Sequence, residues 1–179
     1  MRIMVPSVQY QVERHSLAPR PTTLDGKTVA FVDTAGYPQP DGSIKMYPLM
    51  SELKRLLEKR FKLAGCLWYQ RTNPTHTLSE EVIRDIAEKS DVIINGECWG
   101  SETVNIVRDA VELEKLGKPT ITLAYETIRA LWVTVTTAEG MPDLPLLIEE
   151  QPAVGNISVN PEETAEANIE RVLSSLTSK

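Results

Sequence analysis

Nine consecutive residues, Asn95 to Thr103, set one thiol, two carboxylates, two hydroxyls and an indole beside two glycines. A turn of this kind before a helix is an anion site if Ser101 caps the helix, because the next amides then point outward at the positive end of the helix dipole. Gly100, Ser101 and Thr103 are then the expected seat of a phosphate, sulfate or carboxylate. Plain capping by Ser101 and Glu102 is the alternative. Cys98 beside a helix start is a candidate nucleophile with a lowered pKa, or else a packed thiol, since no histidine stands near it in sequence. Glu102, in the first helical turn, is a weak base but a good acceptor for an ammonium, and Glu97 is the other candidate carboxylate. Trp99 reads as a pocket wall or as a core residue. The turn is neither a Gly-Lys-Ser/Thr phosphate loop nor a Gly-x-Gly-x-x-Gly fingerprint.

The elements that must position this turn alternate. Strands are expected at 28–33, 64–70, 92–94, 120–124 and 144–148, from short apolar and β-branched runs. Helices are expected at 47–61, 79–89, 101–116, 126–139 and 161–176. Ser79 and Asn160 are their expected caps, Pro161 a first helical residue, and Gly117 and Pro119 a stop. Valines and threonines weaken the fourth helix. This alternation predicts a Rossmann-like α/β domain, flavodoxin-like in order, with a doubly wound parallel sheet of about five strands. The apolar strands fit a sheet covered on both faces. Residues 1–27 read as an N-terminal arm, packed on the domain or on a partner, and 28–179 as one domain.

Ligands of such sheets bind beyond the carboxyl ends of the strands. Beyond the turn itself, that selects Asp33, Thr34 and Tyr37 after the first strand, Arg71 and Asn73 after the second, and Tyr125 and Glu126 after the fourth. Each has a plain reading too: Asp33 as a turn cap, Arg71 and Asn73 as a solvated loop, Glu126 as a helix start. Gly155-Asn156 is a turn signal after the fifth strand. Asp109, Glu112 and Glu114, within the third helix, read as solvated or packing residues.

A chain of 179 residues can bury a core without staples, and its composition is that of a globular protein. A net charge of −6 argues against nucleic acid. No run is long enough to span a bilayer, and Met1 to Pro6 lacks a signal peptide's apolar core, so a cytoplasmic protein is expected. Two cysteines and two histidines make a metal centre or a Ser-His-Asp triad improbable. No cofactor is expected.

From about residue 18 to residue 172 the chain resembles the UGSC-like proteins, named for a selenocysteine/cysteine-Gly-Ser-Cys motif. The matching stretches are Ala18-Pro19-Arg20-Pro21, Leu24-Asp25-Gly26-Lys27, Gly100-Ser101, Asp109 to Glu114, Gly117-Lys118-Pro119-Thr120 and Gly140 to Pro145. The resemblance implies a Rossmann-like fold and kinship with selenol or thiol reductases. It also places the redox pair on Trp99 and Glu102, so the pair is missing. Cys98 reaches the first position only by a shift of register, and Cys66 lies at the wrong end of the sheet to resolve it. Gln151-Pro152 stands where such proteins have His-Pro. A narrower likeness, to the aziridine-forming complexes of azinomycin-type pathways, implies ring closure on a carrier-bound amino acid with loss of sulfate. It further implies a heteromer of two related chains. Three functions follow as expectations: a non-redox enzyme or subunit expelling an anion, a non-catalytic stabilising partner in a heteromer or homo-oligomer, and a reductase using Cys98.

Overall fold

A computed structural model describes residues 12–149 and 158–178. In chain order the elements are β1 (Thr28–Asp33), β2 (Tyr37–Pro38), β3 (Ile44–Lys45), α1 (Pro48–Arg60), β4 (Gly65–Gln70), α2 (Glu80–Lys89) and β5 (Val92–Cys98). They continue with α3 (Thr103–Lys115), β6 (Thr120–Tyr125), a 3-10 turn (Glu126–Ile128), α4 (Arg129–Ala138), β7 (Leu146–Glu149) and α5 (Pro161–Leu176). Five strands form one parallel sheet in the order β4-β1-β5-β6-β7. This is the flavodoxin-like order, so the crevice where the winding reverses lies between the carboxyl ends of β1 and β5.

Side-chain alternation along each strand divides the core. Val29, Phe31, Ile94, Ile121, Leu123 and Leu147 face α1 and α5. Ala30, Val32 and Ile93 face α2, and Cys98 and Ala124 face α3 and α4. Both faces are covered, which is why the strands read as unbroken apolar runs.

Several boundaries differ from the sequence reading. β5 runs four residues past Ile94, because Asn95 and Glu97 are buried polar residues in a strand and read as loop. Gly96 makes that extension possible. Its φ is +122°, and a Cβ there would lie 2.4 Å from the Leu123 carbonyl oxygen. The 34–43 loop carries the first strand of a small hairpin, β2–β3. The fourth helix opens as a 3-10 turn. Ser79 caps α2 as expected, accepting from the Val82 amide at 3.3 Å. Asn160 holds the cap position of α5 without a side-chain cap bond. The Gly155-Asn156 and Gln151-Pro152 readings lie outside the described residues.

The lead-in is fastened to the domain from His15 onward, where the His15 amide donates to the Gly140 carbonyl at 2.9 Å. Glu114, on α3, accepts the Ala18 amide at 2.6 Å, both terminal nitrogens of Arg20 at 2.7 and 2.8 Å, and the Thr120 amide at 2.7 Å. Leu24 is fully buried in the core. Glu114 and Asp109 are thus buried partners, whereas Glu112 is exposed. Among the described residues no helix is long and apolar enough to cross a membrane.

Candidate functional site

On the α1/α5 face the apolar column of each strand ends in a polar residue. Val29 and Phe31 lead to Asp33, Ile121 and Leu123 to Tyr125, and Leu147 to Glu149. Val92 and Ile94 lead to Glu97, after a shift of register between Asn95 and Cys98. Three carboxyls and a phenol therefore converge on the carboxyl edge of the sheet, next to the first turn of α1.

Asp33 is consumed by structure. Its carboxylate accepts the amides of Ala35 at 3.2 Å, Gly36 at 2.8 Å and Tyr47 at 3.1 Å, so it ties β1 to the start of α1. Burial pushes its pKa up, and those amides oppose the rise. The turn-cap reading of Asp33 is the one the structure supports.

Glu97 is different. It is fully buried, and the Tyr125 hydroxyl donates to its Oε2 at 3.1 Å. Its Oε1 has no partner among the described residues. Burial first, then the charge of Glu149, raise its pKa well above the carboxylate range. Tyr125 and the Met50 amide at the start of α1 oppose the rise. Glu149 is 4% exposed, and neither of its oxygens has a partner among the described residues. Burial pushes its pKa up to about 7, and Ser158 beside it opposes the rise without a hydrogen bond of ordinary geometry. Buried carboxyls with unsatisfied oxygens are costly, and at a strand-end crevice they are functional-site candidates.

Aromatic rings wall this edge. Tyr47 meets Trp99 edge-on at 5.7 Å between centroids and Tyr37 at 6.2 Å. The Tyr47 phenol is raised by burial and by Asp33, Glu97 and Glu102. Trp99 is half-buried, in keeping with its reading as a wall. Thr34 donates its hydroxyl to the Glu97 carbonyl at 2.7 Å and so fixes that residue's backbone.

The Gly100 turn is not the open anion seat the sequence suggests. Ser101 is exposed and caps nothing; the residue at the cap position of α3 is Glu102. The Glu102 carboxylate accepts the amides of Trp99 at 2.7 Å and Gly100 at 2.8 Å. Thr103 gives its amide and its hydroxyl to the Gly100 carbonyl, at 3.1 and 2.6 Å. The turn thus carries its own anion. Removing it strands two donors, so Glu102→Ala is expected to cost about 1–3 kcal/mol. Ser101→Ala is expected to stay within about 0.5 kcal/mol. Urea unfolding of the two variants checks the contrast.

Cys98 is corrected as well. The thiol is fully buried, faces α3 and α4, and lies 3.6 Å from the Leu123 carbonyl oxygen. Burial, and then Glu102, push its pKa up rather than down. A thiol reagent at mildly alkaline pH is expected to leave Cys98 unmodified in the folded protein and to label it in urea; rapid labelling of the native state contradicts this placement. Cys66 lies near the amino end of β4, opposite Val29, far along the sheet from Cys98, as the sequence reading has it.

Arg71 is not solvated, and its Nε and Nη2 are buried without partners among the described residues. It is 2% exposed and paired with Asp109, which also accepts the Leu78 amide at 3.1 Å. Asn73 is exposed and accepts the Thr75 amide at 3.0 Å within its own turn. Glu126 is an exposed helix-start residue bridged to Arg129 at 2.7 Å. Tyr125 belongs to the buried edge through Glu97. Sequence reasoning missed Glu149 and Tyr47. The available signal for Glu149 was its place two residues beyond Leu147, where the core-facing period puts an acid.

The fold and this edge define a flavodoxin-like α/β protein with a buried acidic site at its winding switch. A model of the UGSC family matches residues 2–178, and the chain belongs to that family. Nothing among the curated proteins compared matches it.

Proposed function

We propose that this chain is a non-redox small-molecule enzyme, or an enzyme subunit, that works by proton transfer at Glu97. The supporting observation is a fully buried carboxyl with one oxygen free of partners, braced by Tyr125, at the crevice where this fold binds ligands. A carboxylate pushed upward is a better base near neutrality than an exposed one. The reaction class is intramolecular displacement. Glu97 takes a proton from an amine, the nitrogen lone pair forms a bond to a neighbouring carbon, and the carbon–oxygen bond to sulfate breaks with its electron pair leaving on sulfate. Aziridine closure on a carrier-bound amino acid is the instance the family resemblance suggests. Trp99 and Tyr47 offer the wall against which the reacting centre is held.

The closed Gly100 turn gives the departing anion no seat among its own amides. That favours a second reading in which a related UGSC-family chain completes the site or carries the chemistry. The buried, upshifted Cys98 thiol supports no reductase reading.

The test is sulfate release from a vicinal amino sulfate ester, with the chain alone and mixed with a second UGSC-family chain, no reductant added. Release of one sulfate per ring formed is the expected outcome. Release only in the mixture, and unchanged by Glu97→Gln, assigns the chemistry to the partner. No release above buffer in either case overturns the proposal.

A further inference from the structure

Glu149 has no role in the reaction as derived so far, yet it stands beside Glu97 with both oxygens buried and without partners among the described residues. The sheet brings the two carboxyls to one edge, two strands apart with Tyr125 between them. Glu97 on β5, Tyr125 on β6 and Glu149 on β7 occupy successive strand ends on one face of the sheet, Tyr125 lies opposite Glu149 in register, and Tyr125 holds Glu97 by its hydroxyl. The other groups facing the dyad are Asp33 on β1, Tyr47 and the Met50 amide at the start of α1, and Ser158 ahead of α5. No cation among the described residues faces the two carboxyls. Two neighbouring carboxyls buried without a counter-charge cannot both ionise at little cost.

We propose that Glu97 and Glu149 hold one proton between them, with Glu149 as the positioning residue that sets the charge of Glu97. The inference rests on the reading of Glu97 as the proton-transfer group and adds the partner that sets its charge. In the singly protonated pair the ionised Glu97 takes the proton from the nucleophile, sulfate leaves unprotonated, and the doubly protonated pair that results gives one proton to water before the next turnover. The two sites then titrate as a pair, in two separated steps that belong to neither residue alone.

The experiment is a pH titration of the full chain carrying carbon-13 in the glutamate side-chain carboxyls, read by NMR. Two separated steps from buried carboxyls are expected. Glu149→Gln is expected to abolish the upper step and leave Glu97 titrating at lower pH; Glu149→Asp is expected to restore two steps. The wild-type titration stands even if Glu149→Gln fails to fold. One unsplit step in the wild type, or a Glu97 titration unmoved by Glu149→Gln, overturns the proposal. The rate assay separates this from the functional reading. Two steps with full sulfate release by Glu97→Gln sink the function and keep the dyad, and one step with release abolished does the reverse.

Discussion

Glu97→Gln is expected to lower turnover by at least about 100-fold, the usual contribution of a positioned general base, while making the fold more stable at mildly alkaline pH. The amide keeps the shape of the side chain and an oxygen for Tyr125 but cannot take a proton. The stability gain follows from linkage. A carboxyl whose folded pKa is raised stabilises the fold fully below its unfolded pKa, and that stability is lost as pH rises through the folded value. For Glu149 the window runs from 4.5 to about 7. At about 1.4 kcal/mol per pH unit, the folded protein forfeits on the order of 3 kcal/mol above that window. Glu97, fully buried, is raised in the same direction. Urea unfolding at acid and at mildly alkaline pH is therefore expected to show Glu97→Gln and Glu149→Gln gaining on the wild type only at the higher pH. A variant equally stable at both pH values and fully active would mean that Glu97 is an inert core residue.

Glu114→Ala is expected to be among the most destabilising single changes, at about 3–5 kcal/mol, the range for breaking a buried ion pair. The Glu114 side chain has no exposure and that of Arg20 only 12%. Its loss leaves the guanidinium unneutralised and the amides of Ala18 and Thr120 without acceptors. The same carboxylate ties the lead-in and the start of β6 to the carboxyl end of α3. A lower urea midpoint at unchanged slope is the expected signature. A loss under about 0.5 kcal/mol would show that the arm contributes nothing to the folded state.

The alternation of elements was legible because both signals act locally: β-branched runs for strands, and start signals such as the Ser79 cap and Pro161 at the first helical position for helices. The placement of Cys66 away from Cys98 followed from strand direction alone. What was not legible is where polar residues continue a strand. Asn95 and Glu97 look like loop in one dimension, and only the close approach of Gly96 to Leu123 shows why the strand continues. The Gly100 turn was located correctly and misread in chemistry, since a Glu two residues on can close the turn it appears to border. The solvated-loop reading of Arg71 failed because its partner Asp109 is 38 residues away. Glu114 gave no sequence signal for a buried four-donor acceptor, because every donor but Thr120 comes from the arm. Glu149 was hidden by the habit of stopping a strand at its last apolar residue.

The central claim is that the chemistry belongs to a buried carboxyl on the α1/α5 face and not to a thiol at the Gly100 turn. Its most direct test is the turnover of the protein with both cysteines replaced, Cys66→Ser and Cys98→Ala, beside Glu97→Gln, in the same sulfate-release assay without reductant. The expected result is a cysteine-free protein at close to wild-type rate and a Glu97→Gln protein reduced by about 100-fold or more. A folded cysteine-free protein that is inactive, beside a Glu97→Gln protein that is fully active, would contradict it.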